Sequence, residues 1–371
     1  LIRALLSLLV WLLLSLALPL AGAVLGQIPL ADLFEIPLRE RAWDALSLSP
    51  ALYWGTLALT TAGLALLLLR RPPPRPRRAP TADNGRGSLR YWAWLGTAAL
   101  ILAPTLGLGQ SPHAGEALLW LGALLLLDAH TQAGSGHSLI QDRPLYLLSL
   151  FPAGVLLDAL LQYLNLFLQN WTYPRTDLSP AQWVFWQGLH AGLLLPLLLV
   201  LRQWLAQRPT LLRLFHDGPA TGFRGDPELG WILVLPACLG LAGAALWPDW
   251  IYPLTWFAPL LLAQGMALIR GRTTLFTGLH HGNWSRPLLT ALAAIAIALA
   301  AQAWDQAFGP QRAFTLPLLQ GPGILGLPLP GYLGAVAFGL TGLWLADQAG
   351  LPWRRGKEAK APRFPVQIRI G

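Results

Sequence analysis

Residues Ala4 to Leu25 read ALLSLLVWLLLSLALPLAGAVL, twenty-two residues without a single charge. Coiled as an α-helix, such a stretch spans about 33 Å, enough to cross a hydrocarbon core of roughly 30 Å. Leu288 to Trp304 is a second run of this kind. Lipid offers no partner to an unpaired backbone N–H or C=O, so apolar runs of this length are helices. Marking the others outward from Ala4 gives spans near residues 4–25, 51–69, 91–109, 117–134, 145–168, 181–201, 230–247, 252–269, 286–305 and 331–348. The expected fold is an all-α polytopic transmembrane bundle of about ten spans.

Composition points the same way. Hydrophobic residues make up 54% of the 371 and charged residues 12%, with a mean hydropathy of +0.50, whereas a soluble domain carries roughly 25% charge. A net charge of +9 would suggest nucleic acid in a soluble protein. Here the basic residues lie in short loops between apolar runs, so the expected partners are membrane lipids and not nucleic acid.

With the N-terminus placed in the cytoplasm, 22 of the 26 lysines and arginines fall on the cytoplasmic side, and only Arg39, Arg41, Arg175 and Arg312 fall outside. That asymmetry supports both the span count and a cytoplasmic C-terminus. Arginine-rich, lysine-poor composition resembles that of a GC-rich bacterium, so the expected location is a bacterial inner (plasma) membrane. Ala21–Ala23 imitates a cleavage site, but the first run is expected to stay as an uncleaved span. The chain divides into a two-span unit (1–69), a basic Pro/Arg-rich linker (70–90), an eight-span body (91–348) and a basic tail (349–371).

Polar residues inside spans carry the functional argument, because each costs free energy unless it has a partner or faces a cavity. Asp158, Gln162, Asn165 and Gln169 recur at i, i+4, i+7 and i+11, one face of the fifth span. Folding the hairpin about residues 169–180 sets Asp158 level with His190 and Gln162 level with Gln187. At about 1.5 Å per residue the acid and the imidazole lie about 15 Å and 13 Å below the outer boundary. An acid and an imidazole at that depth suit a proton relay, a general acid and base pair, or a register-fixing hydrogen bond. Gln302, Asp305 and Gln306 repeat the theme on the ninth span. Asn170-Trp171-Thr172-Tyr173-Pro174 and the stretch from Trp304 to Pro317 are echoing aromatic, proline-containing outer segments, with Trp247 to Pro253 a third.

Two inner-side groups are weaker signals. Asp128, His130 and Gln132, followed by His137, Ser138 and Asp142, have donor atoms for a metal but read more simply as solvated helix-end residues. His280-His281 and Asn283 to Arg286 could meet headgroup phosphates. Cys238 is the sole cysteine, so no intramolecular disulfide forms. The sequence lacks a P-loop, a dinucleotide fingerprint, a His-Glu-x-x-His motif and a nucleophile elbow, and implies neither cofactor nor metal.

The segments Leu164–Pro174, Gln302–Pro317 and Pro328–Phe338 resemble a group of largely uncharacterised bacterial polytopic membrane proteins across about residues 91–348. Gly326-Leu327-Pro328 is similar to the segment of lycopene cyclase-like membrane domains of carotenoid biosynthesis that precedes an acidic pair. That resemblance implies an intramembrane site for an isoprenoid, although the acidic positions fall here at Leu329, Pro330 and Gly331.

Three functions follow as expectations. The first is binding or modification of a lipid or isoprenoid at an outward-opening site, with Asp158, His190 and Asp305 as catalytic candidates and Gln162, Asn165, Trp171, Tyr173, Gln187 and Trp304 as binding candidates. The second is a secondary transporter or channel using the same residues, and the third a non-catalytic assembly protein in which they are interhelical glue.

Overall fold

The computed structural model describes residues 2–29, 33–68, 86–109, 111–174, 176–216, 218–221, 226–309 and 312–350. Residues 70–85 of the linker, the tail from 351, Arg175 and Arg224 lie outside the described residues. Twelve α-helices follow in order: α1 (Ile2–Leu25), α2 (Pro50–Leu68), α3 (Arg86–Leu108), α4 (Pro112–Ser135), α5 (Leu139–Asp142), α6 (Pro144–Leu168), α7 (Pro180–Ala206), α8 (Pro209–His216), α9 (Pro227–Leu246), α10 (Pro248–Ile269), α11 (Ser285–Ala307) and α12 (Tyr332–Ala349). The ten long ones coincide with the ten expected spans, and α5 and α8 are short helices in the connections. Among the described residues, eight helices are long and apolar enough to cross a membrane. α4 carries Glu116, Asp128, His130 and Gln132, which dilute its apolar run.

Helices in lipid gain little from burying apolar area against one another, so close backbone approach is what joins them. Gly96 of α3 and Gly122 of α4 face each other so tightly that a Cβ on either would lie 2.8–2.9 Å from the other's carbonyl oxygen. Gly230 of α9 and Gly265 of α10 repeat the arrangement at 2.7–2.8 Å. α6 meets α7 where Gly154 abuts the Ala191 carbonyl. The middle of the bundle is filled by Leu195 and Leu197–Val200 of α7 against Leu340 and Leu343–Ala346 of α12.

α1 belongs to this core. Its Ser7, Trp11 and Ser15, each four residues apart, are all buried. The Trp11 indole donates to the Pro259 carbonyl of α10 at 2.7 Å, and its ring lies 4.8 Å from that of Trp344 of α12. The sequence division into a two-span unit and an eight-span body is therefore not a division in packing. An indole N–H inside an apolar bundle needs an acceptor, and α10 supplies it.

The connections sort into two ends. At one, the α1–α2, α6–α7 and α11–α12 connections and the start of α10 lie together as a cap. Strands β1 (Trp171–Thr172) and β2 (Ala313–Phe314) pair antiparallel, Trp171 opposite Phe314, so two of the echoing outer segments are hydrogen-bonded to each other. Thr315 N–H donates to Asn170 O at 2.7 Å, and the Tyr252 hydroxyl at the start of α10 donates to Pro317 O at 3.1 Å. Strands β3 (Gly323–Ile324) and β4 (Leu327–Pro328) form a hairpin leading, through a 3₁₀ turn, into α12. At the opposite end lie α5, α8 and the segment from Arg270 to Trp284, tied by Gln207 Nε2 to Thr131 O and by Thr221 N to Leu279 O.

Candidate functional site

Four helices bring polar side chains together just beneath the cap. α4 contributes His113, Glu116 and Trp120, spaced i, i+3 and i+7 and hence on one face. Facing them on α7 is His190. Its Nδ1 lies 3.2 Å from Glu116 Oε2 and its Nε2 2.9 Å from the His113 carbonyl, while Trp120 Nε1 donates to the other Glu116 oxygen at 3.2 Å. The His190 and Glu116 side chains are 7% and 14% exposed, so water competes weakly for these contacts. Trp186, one turn up α7, lies against both His113 and His190, at ring separations of 6.0 and 6.1 Å.

Asp158 of α6 does not pair with His190 as the hairpin reading expects. Gln187 Nε2 donates to its Oδ1 at 3.1 Å, and Gln162 also reaches it. The facing pairs are displaced by one helical turn. α7 is wedged between α6 and α4, and a step of three residues rotates a side chain by about 60° around a helix. Gln187 thus faces α6 while His190 faces α4. Gln162 in turn donates to the Tyr173 hydroxyl at 3.4 Å.

The third carboxylate is Asp305 of α11, which accepts from Arg312 Nε at 2.5 Å. Arg312 descends from the cap, its side chain 25% exposed against 7% for Asp305, which makes it the rim of the site. Asp305 is close enough to interact electrostatically with Glu116 and His190, and Asp158 with Arg312 and His190, so the three carboxylates, the imidazole and the guanidinium form one cluster. Burial opposes the charge on Arg312, but Asp305, Tyr173 and Glu116 together hold its pKa above the ordinary value. Burial pushes the Tyr173 phenol up to about 12, with Arg312 opposing. Trp304 packs over Gly115, beside Glu116, and its buried indole N–H has no partner among the described residues.

Two expected binding residues build the cap instead. Asn165 accepts from the Asn170 and Trp171 N–H groups at 2.9 and 3.3 Å and donates to Trp171 O at 2.9 Å. Its amide is consumed in turning the chain at the end of α6, where Gln169 takes a left-handed φ of 48°. Trp171 stacks on Trp256 at 5.0 Å, and the Trp256 indole donates to Asn170 Oδ1 at 2.8 Å.

At the opposite end Asp128 is buried, not solvated as the sequence reading has it. It accepts from Ser138 Oγ and, at 2.7 Å, from Leu139 N, and so anchors the start of α5. Gln132 donates to Gln141 at 2.8 Å, and His137 meets Asp142 at 3.4 Å on the surface. Among the described residues no group of three or more His, Cys, Asp or Glu is disposed to hold a metal ion.

Sequence reading missed His113 and Glu116 because they precede the apolar run taken as the fourth span, although their spacing with Trp120 was a signal. It counted Arg312 only as a topological exception. Comparison with protein-family models, curated proteins and solved structures gives no match.

Proposed function

We propose that the chain is a ten-span protein of a bacterial inner membrane, with both termini cytoplasmic, that binds a lipid or isoprenoid beneath the cap and moves a proton on or off its polar end. The observation that carries this reading is that both nitrogens of the buried His190 face acceptors, a carboxylate and a carbonyl. Such a pair is satisfied only if it holds a proton, either on the imidazole with Glu116 ionised or on Glu116 with the imidazole neutral. His190 and Glu116 are thus the proton-handling groups, Asp158 and Gln187 the groups that orient a polar head, and Asp305 with Arg312 the rim. Tyr173, Gln162 and Trp304 line the approach of an apolar chain. The cytoplasmic placement of 22 of 26 basic residues supports the topology.

Transport is less well supported. From Ala191 to Leu201 α7 is apolar and largely buried, and on the facing inner half of α6 the Tyr146 and Ser149 hydroxyls are spent on the Ala346 and Tyr146 carbonyls. A polar route from the cluster to the far end would have to cross that layer.

Mass spectrometry of copurifying lipids and pigments tests the reading, comparing the wild type with Asp158→Asn/His190→Ala and with Glu116→Gln. The expected result is one specific lipid or isoprenoid retained by the wild type and lost or chemically altered in both variants. Identical bulk lipid in all three preparations would refute it and favour interhelical glue.

A further inference from the structure

At the end of the bundle opposite the cap, four helix ends bring a second charged group together at one depth. Arg202 lies one turn before the end of α7, Arg286 is the second residue of α11, Asp347 the third from the end of α12, and Tyr146 the third residue of α6. Arg286 and Asp347 form an ion pair. Tyr146 donates its hydroxyl to Ala346 O at 3.1 Å, closing the group on the α6 side. Arg202 lies close enough to this group for Arg286 to repel it and Asp347 to attract it, and its Nε is buried without a partner among the described residues. Two guanidiniums therefore share one carboxylate that is already engaged by the other arginine. The Arg286 and Asp347 side chains are 37% and 30% exposed, so the group opens outward at this end, and a guanidinium beside it whose Nε has no acceptor is costly unless an anion completes the group.

We propose that Arg202 and Arg286 form a binding site for a phosphate group, that of a phospholipid in the leaflet at this end of the bundle. Three observations select that chemistry. The guanidinium is a planar fork matched to phosphate oxygens, so two of them suit a tetrahedral anion better than a second carboxylate does. All four side chains lie within about one helical turn of a helix end, or about 6 Å, the depth at which headgroup phosphates sit. Arg202 closes the apolar stretch of α7 that begins at Ala191, so its charge marks the boundary between the apolar interior and the headgroup level. This site is separate from the cluster beneath the cap and does not depend on the function proposed for it.

The test is native mass spectrometry of the full chain in micelles supplied with phosphatidylglycerol or with diacylglycerol, which lacks the phosphate. Wild type is expected to retain one phosphatidylglycerol and to prefer it at least tenfold over diacylglycerol. Arg202→Gln should abolish that preference. Arg286→Gln should abolish it as well, since it removes the second guanidinium of the site. If Arg202→Gln does not fold, Arg286→Gln still decides the matter, because it retains a carboxylate for the remaining arginine. Millimolar inorganic phosphate distinguishes the source: raising the melting temperature of lipid-depleted wild type and displacing phosphatidylglycerol would assign the same chemistry to free phosphate. Equal retention of phosphatidylglycerol and diacylglycerol by wild type, or an unchanged preference in a folded Arg202→Gln or Arg286→Gln variant, would overturn the proposal.

Discussion

The Arg41–Asp249 pair fixes the cap over the site, and removing Arg41 should cost the protein a large part of its stability. Arg41 Nη2 donates to Asp249 Oδ1 at 2.6 Å, its Nε to Trp43 O at 2.8 Å and its Nη1 to Gln169 O at 3.1 Å, while Asp249 Oδ2 accepts from Leu46 N at 3.0 Å. One guanidinium thus joins the α1–α2 connection to the end of α6 and the start of α10. The side chains are 12% and 14% exposed, enough shielding that burial lowers the Arg41 pKa even with Asp249 alongside. Breaking a buried pair by removing one partner costs about 3–5 kcal/mol, because the survivor stays charged and unpaired. The residual exposure argues for the lower end, about 3 kcal/mol, or roughly two powers of ten in the folding equilibrium. Arg41→Met should show this loss in equilibrium unfolding in mixed micelles. Arg41→Met/Asp249→Leu should recover most of it, since no orphaned carboxylate then remains. A single-variant loss below about 1 kcal/mol, or a double variant no better than the single, would refute the reasoning and mean that water reaches the pair.

Two further outcomes follow from named contacts. Gly154→Ala should cost about 1–3 kcal/mol, because its Cβ would strike the Ala191 carbonyl and force α6 from α7, whereas Gly188→Ala, with open space around it, should gain up to about 1 kcal/mol; thermal unfolding of the two variants side by side decides this. Tyr173 is the subject of the second. Its phenol titrates at about 12 when folded and at about 10 when unfolded, so this residue's contribution to stability is complete below pH 10 and is lost as pH rises towards 12. Alkaline unfolding of Tyr173→Phe should therefore begin at higher pH than that of the wild type, followed by tryptophan fluorescence, and coincident curves would count against a buried phenol.

What the sequence disclosed and what it hid have separate physical causes. Long apolar runs are unambiguous because lipid permits a single regular solution for them, and all ten appear as helices. The β1–β2 pair was foreshadowed as an echo between two segments, but two-residue strands have no periodicity from which pairing can be read. The displacement of Asp158 onto Gln187 was invisible for another reason. Hairpin arithmetic gives depth along a helix but not rotation about it, and rotation decides which neighbour a side chain meets. α4 was legible as a helix but not as a wall of the site, because Glu116 sits where an apolar run begins and so resembles an interfacial residue.

The four basic residues that break the topological rule deserve to be read as signal. Arg41 and Arg312 both end on buried carboxylates, Asp249 and Asp305, and Arg39 donates to Leu178 O at 3.4 Å across the same cap, while Arg175 lies outside the described residues. A cation kept at this cap is explained when a carboxylate there requires it. The same bookkeeping isolates Asp158. Asp305 has Arg312, and Glu116 has His190, but the direct hydrogen-bond partners of Asp158 are the amides of Gln187 and Gln162. Its charge has no counterion in contact, which leaves it free to orient the polar head that the proposed function places beside it. Asp158→Asn keeps the oxygen that accepts from Gln187 and removes the charge. Loss of the retained ligand with stability unchanged would therefore be evidence for head-group binding at Asp158, whereas loss of both would be evidence for glue.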